Sequence, residues 1–226
     1  MARPRADAPS GQHRTKAALA KAHIQELIVS GTVPAGGHIT TRAVSEALAM
    51  SETPVREAMR SLAAEGWLDL HPHLGSVVAG VQTAELTEVY ALRGRLGALA
   101  IELGGPSYSR RRLAEMATNI RRSEKAVAAG QIAVYIQLNR AFHTLLSDTE
   151  ETRWTLRLLT MLWGQTAAMG GGFRRVPARL AQSLDEHKAI LAAIVAGDFQ
   201  HAAALLIEHE RRAASMLITA LVLKRL

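Results

Sequence analysis

The chain of 226 residues contains no cysteine. That excludes a disulfide framework and any thiolate metal site, and it fits a reducing compartment. Long apolar runs are missing as well: no uninterrupted stretch reaches the length of a membrane span. The first residues, Met1-Ala2-Arg3-Pro4-Arg5-Ala6-Asp7-Ala8-Pro9-Ser10-Gly11, lack the apolar core of a signal peptide. Together these absences set the expectation of a soluble, cytoplasmic protein with no membrane partner. There is also no internal repeat and no low-complexity segment. Positive charge is present but badly placed for a simple argument. The net charge is +7, yet residues 1–80 carry 8 Lys/Arg against 7 Asp/Glu, leaving 19 against 13 for the remainder. Bulk charge therefore says little about nucleic acid, and any such inference must come from a motif.

One is present at residues 41–66. Val44 and Leu48 lie four apart with Ala47 beside them, and Val55, Met59 and Leu62 recur at i, i+4, i+7, so two short amphipathic helices are expected. Ser51 reads as an N-cap, Pro54 falls in a first turn where its missing N–H costs nothing, and Gly66 ends the second helix. Such a pair is either an ordinary helical hairpin or a helix-turn-helix, whose second helix enters the major groove by its N-terminal residues. Ser51, Glu52, Thr53 and Arg56 occupy that position, on the side away from the apolar stripe. After Gly66, Trp67–Leu70 and Ser76–Ala79 read as two strands about the turn His71-Pro72-His73-Leu74-Gly75, a small hairpin or wing. A preceding helix from Lys16 to Ser30, with Ile24, Leu27 and Ile28 inward, stops at Gly31. The wing and this helix favour the DNA-reading alternative. Residues 1–14 read as a disordered tail, in which Arg3, Arg5 and Arg14 are either solvated or touch phosphates.

Gly31-Thr32-Val33-Pro34-Ala35-Gly36, Arg42, Ser51-Glu52-Thr53-Pro54-Val55-Arg56-Glu57-Ala58-Met59, Glu65-Gly66-Trp67-Leu68 and Gly75 resemble the winged-helix domain of GntR-type transcription regulators. The resemblance implies that Arg42 and Arg56 position the domain on phosphates or guanines. Ser51 and Thr53 would contact backbone or base edges, and the wing near His73 and Gly75 would reach the adjacent groove. It departs at Glu52, where the family usually has an arginine that touches DNA. A carboxylate there repels phosphate but can accept from a cytosine amino group.

Beyond Thr83, read as the N-cap of a new helix and the domain boundary, the chain is alanine-rich with almost no β-branched runs. Gly and Pro breakers leave about six helices, at 84–103, 109–129, 131–147, 150–168, 178–196 and 198–223. The expected fold class is mainly α: a winged helix-turn-helix at 15–82, then an antiparallel all-helical bundle at 83–226. Three of these helices carry polar residues where apolar ones belong. Asn139 and His143 interrupt the stripe of Ile132, Ile136 and Leu146. His187 sits among Leu180, Leu184, Leu191 and Ile194, and His209 among Ala202, Leu206, Ala213 and Met216. Each imidazole is either a satisfied core histidine or a ligand; three together with one amide oxygen suit a divalent ion such as zinc or nickel, with positions left open. Arg93 lies on the stripe Leu86, Tyr90, Leu96, Ala100, where a guanidinium needs a carboxylate partner, internal or exogenous.

Asn139-x-x-x-His143, Glu186-His187-x-x-Ile190-x-x-Ala193-Ile194-x-x-Gly197-Asp198 and His209 resemble the effector domain of the FadR branch of GntR regulators, the FCD type. The resemblance implies Asn139, His143, His187 and His209 as metal ligands, with Asn139 standing where Asp is commoner. It also implies Arg93 as an effector contact, a small organic acid as effector, and Gly97 in place of the family's usual glutamate. Glu186 adjoins His187 but points about 100° away on a helix. No His-Glu-x-x-His, Ser-His-Asp or Cys-His arrangement is present, so no enzyme is expected. The reading is a homodimeric regulator, a repressor on a near-palindromic double-stranded DNA operator, controlled by a carboxylate at a metal site. Sensing of the metal itself is the alternative, and a metal-dependent enzyme a remote one. The segment Met169-Gly170-Gly171-Gly172-Phe173-Arg174-Arg175 is either a pocket lid or an exposed connection.

Overall fold

The computed structural model describes residues 15–71, 75–80, 82–167, 176 and 179–222. The expected tail, His73 at the wing tip and the Met169–Arg175 segment lie outside them. Among the described residues the chain forms nine α-helices and one small sheet, as the mainly α reading expects.

The N-terminal part begins with α1 (Lys16–Val29), whose first turn is closed by Thr15 accepting from the Ala18 amide. Its buried Ala20, Ile24 and Ile28 face α3. α2 (Thr41–Ala47) is capped by Thr40, and α3 (Glu52–Ala64) starts after Ser51. Ser51 has the extended backbone of an N-cap but makes no capping hydrogen bond, so its hydroxyl stays available on the outer surface. Between the two helices Ala49 takes a left-handed backbone, φ +48°. Gly66, at φ +73°, ends α3, and the Trp67 amide bonds back to the Leu62 carbonyl at 2.9 Å.

The wing differs from a simple hairpin. β2 (Leu68–His71) and β3 (Gly75–Val78) pair as expected, with Leu70 opposite Ser76 and His71 opposite Gly75. A third strand, β1 (His38–Ile39), lies on the other edge of β3, giving the order β1-β3-β2. Two residues are too few for an alternating pattern. The strand is set instead by Gly36 at φ +77°, which brings its amide to the Val78 carbonyl at 2.9 Å. Val44, Val55, Met59, Leu62, Trp67, Leu68 and Val78 close this core.

After a 3₁₀ turn at Thr83–Glu85 come six α-helices among the described residues. These are α4 (Leu86–Gly104), α5 (Arg110–Ala128), α6 (Ile132–Ser147), α7 (Arg153–Ala167), α8 (Arg179–Val195) and α9 (Phe199–Val222). The α-helical ladder starts at Leu86, three residues after the expected N-cap Thr83. α4 is the central rod, packed mainly on α9 and also on α6 and α7. Two glycines allow that approach: a Cβ on Gly97 would sit 2.6 Å from Leu206 Cδ2, and one on Gly94 would sit 3.3 Å from Ile207 Cα. The core between α5, α6, α8 and α9 is built on Met116, Tyr135, Phe142, Leu146, Ile190 and Leu206.

The two parts of the chain meet through main chain as well as side chains. A Cβ on Gly164 of α7 would stand 2.0 Å from the Glu65 carbonyl oxygen, and one on Gly66 would stand 2.8 Å from the Met161 carbonyl oxygen. Ala167, at the end of α7, joins the core of the N-terminal part. The Arg140 guanidinium lies over the Trp67 ring at 5.3 Å and over the Trp163 ring at 5.2 Å, one tryptophan from each part.

Candidate DNA-reading surface and metal centre

The outer side of the first turn of α3 is polar because its inner side is spent on Val55, Ala58, Met59 and Leu62. Ser51, Glu52, Thr53 and Arg56 are all exposed there. Glu52 and Arg56 are a turn apart and paired, Nη2 to Oε2 at 2.6 Å. Arg42 on α2 is exposed and pairs with Glu46 at 2.8 Å. Both pairs are solvent-facing and of little energetic weight, so either arginine can exchange its carboxylate for a phosphate. Gly75 opens β3 at the wing.

Three of the four expected ligands, the histidines, converge from three helices, and Asn139 lines the adjoining cavity beside His143. Asn139 and His143 come from α6, His187 from the middle of α8 and His209 from α9. The three imidazoles are at most 4 % exposed. Their ring centroids are 5.1 Å apart for His143 and His187, 5.2 Å for His143 and His209, and 4.8 Å for His187 and His209. One ligating atom from each can be chosen so that all lie within 4.8 Å of one another. Imidazole nitrogens on one tetrahedral ion stand about 3.4 Å apart, so the three rings would draw together by on the order of an ångström to hold one.

Hydrogen bonding bears on the choice between core histidines and ligands. His143 Nε2, both nitrogens of His187 and Asn139 Oδ1 are buried without a hydrogen-bond partner among the described residues. Buried polar atoms are normally satisfied, and these residues are all lone-pair donors, the set a cation would satisfy. His209 supplies the complement. Its Nδ1 lies 2.7 Å from Glu186 Oε2. Burial alone would raise the Glu186 carboxyl, but hydrogen bonds from His209 and Arg179 outweigh it and hold the group down to about 2. An ionised carboxylate only accepts, so His209 Nδ1 carries the proton and Nε2 faces the cluster bare, the usual support of a metal-bound imidazole. Burial, reinforced by His209 and the nearby arginines, keeps His143 and His187 well below the ordinary histidine range and hence neutral, the form that binds metal. The residues fit a borderline divalent ion.

Sequence reasoning missed the groups that surround these ligands. Glu186 turns away from His187, as its helix requires, and serves His209 instead. Arg179, 3 % exposed, donates to Glu186 and to the His209 carbonyl. Arg93 has an internal partner: Nη2 donates to Glu210 at 3.0 Å and Nη1 to Thr166 at 3.2 Å, while the ring of Tyr90 covers its face. Glu210 was hidden by its neighbour His209, which drew the reading to the imidazole. A cavity of about 140 Å³ adjoins the cluster and is lined by Arg93, Asn139, Arg140, His143 and Arg179 among apolar side chains.

A winged helix-turn-helix joined to a helical domain is the architecture of a DNA-binding transcription regulator, and the family matches agree. The chain belongs to the GntR family. Residues 16–78 match the model described as bacterial regulatory proteins, gntR family, and residues 88–212 match the FCD domain. The HTH-type regulator YdhC of Bacillus subtilis is 29 % identical over 137 residues, 60 % of this chain and 61 % of that protein. McbR of Escherichia coli is 27 % identical over 173 residues, 74 % of this chain and 77 % of that protein. A protein of Paenarthrobacter nicotinovorans described as "Probable D-xylose utilization operon transcriptional repressor" is 26 % identical over 80 % of each chain. The solved structure of E. coli McbR/YncC covers 90 % of this chain and 97 % of its own at a TM-score of 0.78 and 22 % identity, a likeness of fold. These relatives are transcription regulators, not enzymes.

Proposed function

We propose that the chain is a homodimeric repressor whose grip on a near-palindromic operator is controlled by a small carboxylate bound to a zinc or nickel ion. The reading assigns 15–82 to DNA and 83–226 to metal, effector and dimer contacts. Asn139, His143, His187 and His209 would hold the ion, which supplies open positions for an anion and a positive charge to fix it. The cluster of unpartnered buried nitrogens is the observation that carries this. Arg93 lines the same cavity and keeps a buried Nε without a partner among the described residues. Ser51, Glu52, Thr53 and Arg56 would read the major groove and Arg42 the backbone, with the wing at Gly75 and His73 alongside. Repression follows the Paenarthrobacter relative's description. A two-fold dimer is supported by Leu92, Leu99 and Leu103, a stripe on α4 left 39–50 % exposed. Among the described residues no helix is long and apolar enough to cross a membrane.

Elemental analysis of wild type, His143→Ala and His187→Ala tests the metal centre: wild type should hold about one ion per chain, and equal metal in all three contradicts the assignment. Arg56→Ala should weaken operator binding, and unchanged affinity removes Arg56 from the interface. Sedimentation should give twice the 24.4 kDa chain mass, and a monomer rejects the dimer.

A further inference from the structure

The cavity beside the metal ligands is closed by both parts of the chain. Val29 and Trp67 come from the N-terminal part; Ile136, Ala213, Met216 and Leu217 come from α6 and α9. A cavity of about 150 Å³ holds a ring of about six heavy atoms, so this one takes a compact ligand with an apolar body.

Its charges do not balance. Arg93 is matched by Glu210, and Arg179 by Glu186. Arg140 is matched by nothing: no hydrogen bond or ion pair reaches its guanidinium among the described residues. Glu65, the carboxylate closest in influence, is already bound by Lys21 and Ser61. The two tryptophan faces stabilise the cation but supply no acceptor for its five N–H groups. Three guanidinia against two carboxylates leave one positive charge, and a divalent ion brings the excess to about three. A monocarboxylate on the metal would neutralise one of these and leave Arg140, which is partly exposed, with solvent as its acceptor.

We propose that Arg140 is a second anion-binding residue of this cavity, and that it selects a dianionic effector, one carboxylate on the metal and another acidic group on the Arg140 fork. This rests on the metal–carboxylate reading above and narrows it. It also gives the DNA-binding part a view of the ligand. Trp67 is one of the two rings over which the same guanidinium lies, so an anion that draws Arg140 inward takes it from Trp67. α6 carries Asn139, Arg140 and His143 within a single turn, so one helix presents both ends of the ligand site.

The test is calorimetric titration of zinc-loaded full-length protein with matched acids of equal chain length: malonate and propionate, succinate and butyrate, glutarate and valerate. At least one dicarboxylate should bind about tenfold more tightly than its partner. In Arg140→Met, which keeps an apolar stem between the indole rings, that ratio should collapse towards one while zinc is still taken up. Arg140→Lys, which keeps the charge without the fork, should give an intermediate ratio. A wild-type ratio near one, or a ratio unchanged in Arg140→Met, overturns the assignment while leaving a carboxylate on the metal. Failure of all six acids to bind the zinc-loaded protein overturns both.

Discussion

Glu52 is the one position of the expected recognition helix that departs from the family resemblance, and it pairs with Arg56. The 2.6 Å contact sets the Glu52 carboxylate against phosphate as a weak competitor for Arg56. Glu52→Gln should therefore free a cation and remove a repulsion at once. Binding to duplex DNA at low salt should strengthen severalfold, with the salt dependence steeper by up to about one unit of slope. A filter-binding series with salt that gave parallel lines would show that Arg56 was already free. A second residue-scale outcome concerns His143 and His187, whose protonation is resisted in the folded state. Their depressed pKa values contribute stability that is present above the unfolded value near 6.5 and lost as the pH falls below it. Chelator-treated protein should lose up to about 1.4 kcal/mol per histidine per pH unit below that point, seen by urea unfolding at pH 7.5 and 5.5. Equal stability at the two pH values would mean that the rings are solvated. The four candidate ligands were legible as polar interruptions because each breaks an apolar stripe of known period. Glu210 was not, since its partner Arg93 is 117 residues away and no local pattern joins them.

At the scale of elements, helices were readable almost to their ends because period and breakers agree. Gly130 and Gly197 take left-handed backbones just after α5 and α8, at φ +62° and +78°, so the chain stops where sequence says it must. β1 was unreadable, being two residues long and defined by what β3 offers it. The turn between α2 and α3 holds an element-scale surprise: Ala49 does at φ +48° what glycine usually does. Its Cβ makes that conformation unfavourable by about 1 kcal/mol or more. Ala49→Gly should stabilise the protein by about 0.5–1 kcal/mol in urea unfolding, once the greater freedom of unfolded glycine is subtracted. A loss of stability would place the turn elsewhere. Gly97 is the converse case. Sequence shows only an absent carboxylate; the structure shows α9 pressed so close that Leu206 fills the space.

Across the whole molecule, what sequence could not show is where its two halves touch. No periodicity reports that Gly164 faces the Glu65 carbonyl, or that Trp67 and Trp163 share Arg140. Gly164→Ala tests the contact. Its methyl would stand 2.0 Å from that oxygen, so the halves must part or α7 must shift, at a cost of about 1–3 kcal/mol. Unaltered thermal unfolding would contradict the approach. Zinc at a hundredfold excess over its dissociation constant should raise stability by about 2.7 kcal/mol, and the increment should vanish with chelator. No such increment would speak against an ion at the three imidazoles.

Main chain resting on main chain has no rotamers into which to relax. A tilt of α7 of even an ångström therefore cannot be absorbed where it abuts the end of α3; it must re-aim the helix. Half-sites on a duplex recur at about 34 Å per helical turn, a ruler that does not adjust. For paired readers, a small rotation at the glycine abutment becomes a miss at the far half-site.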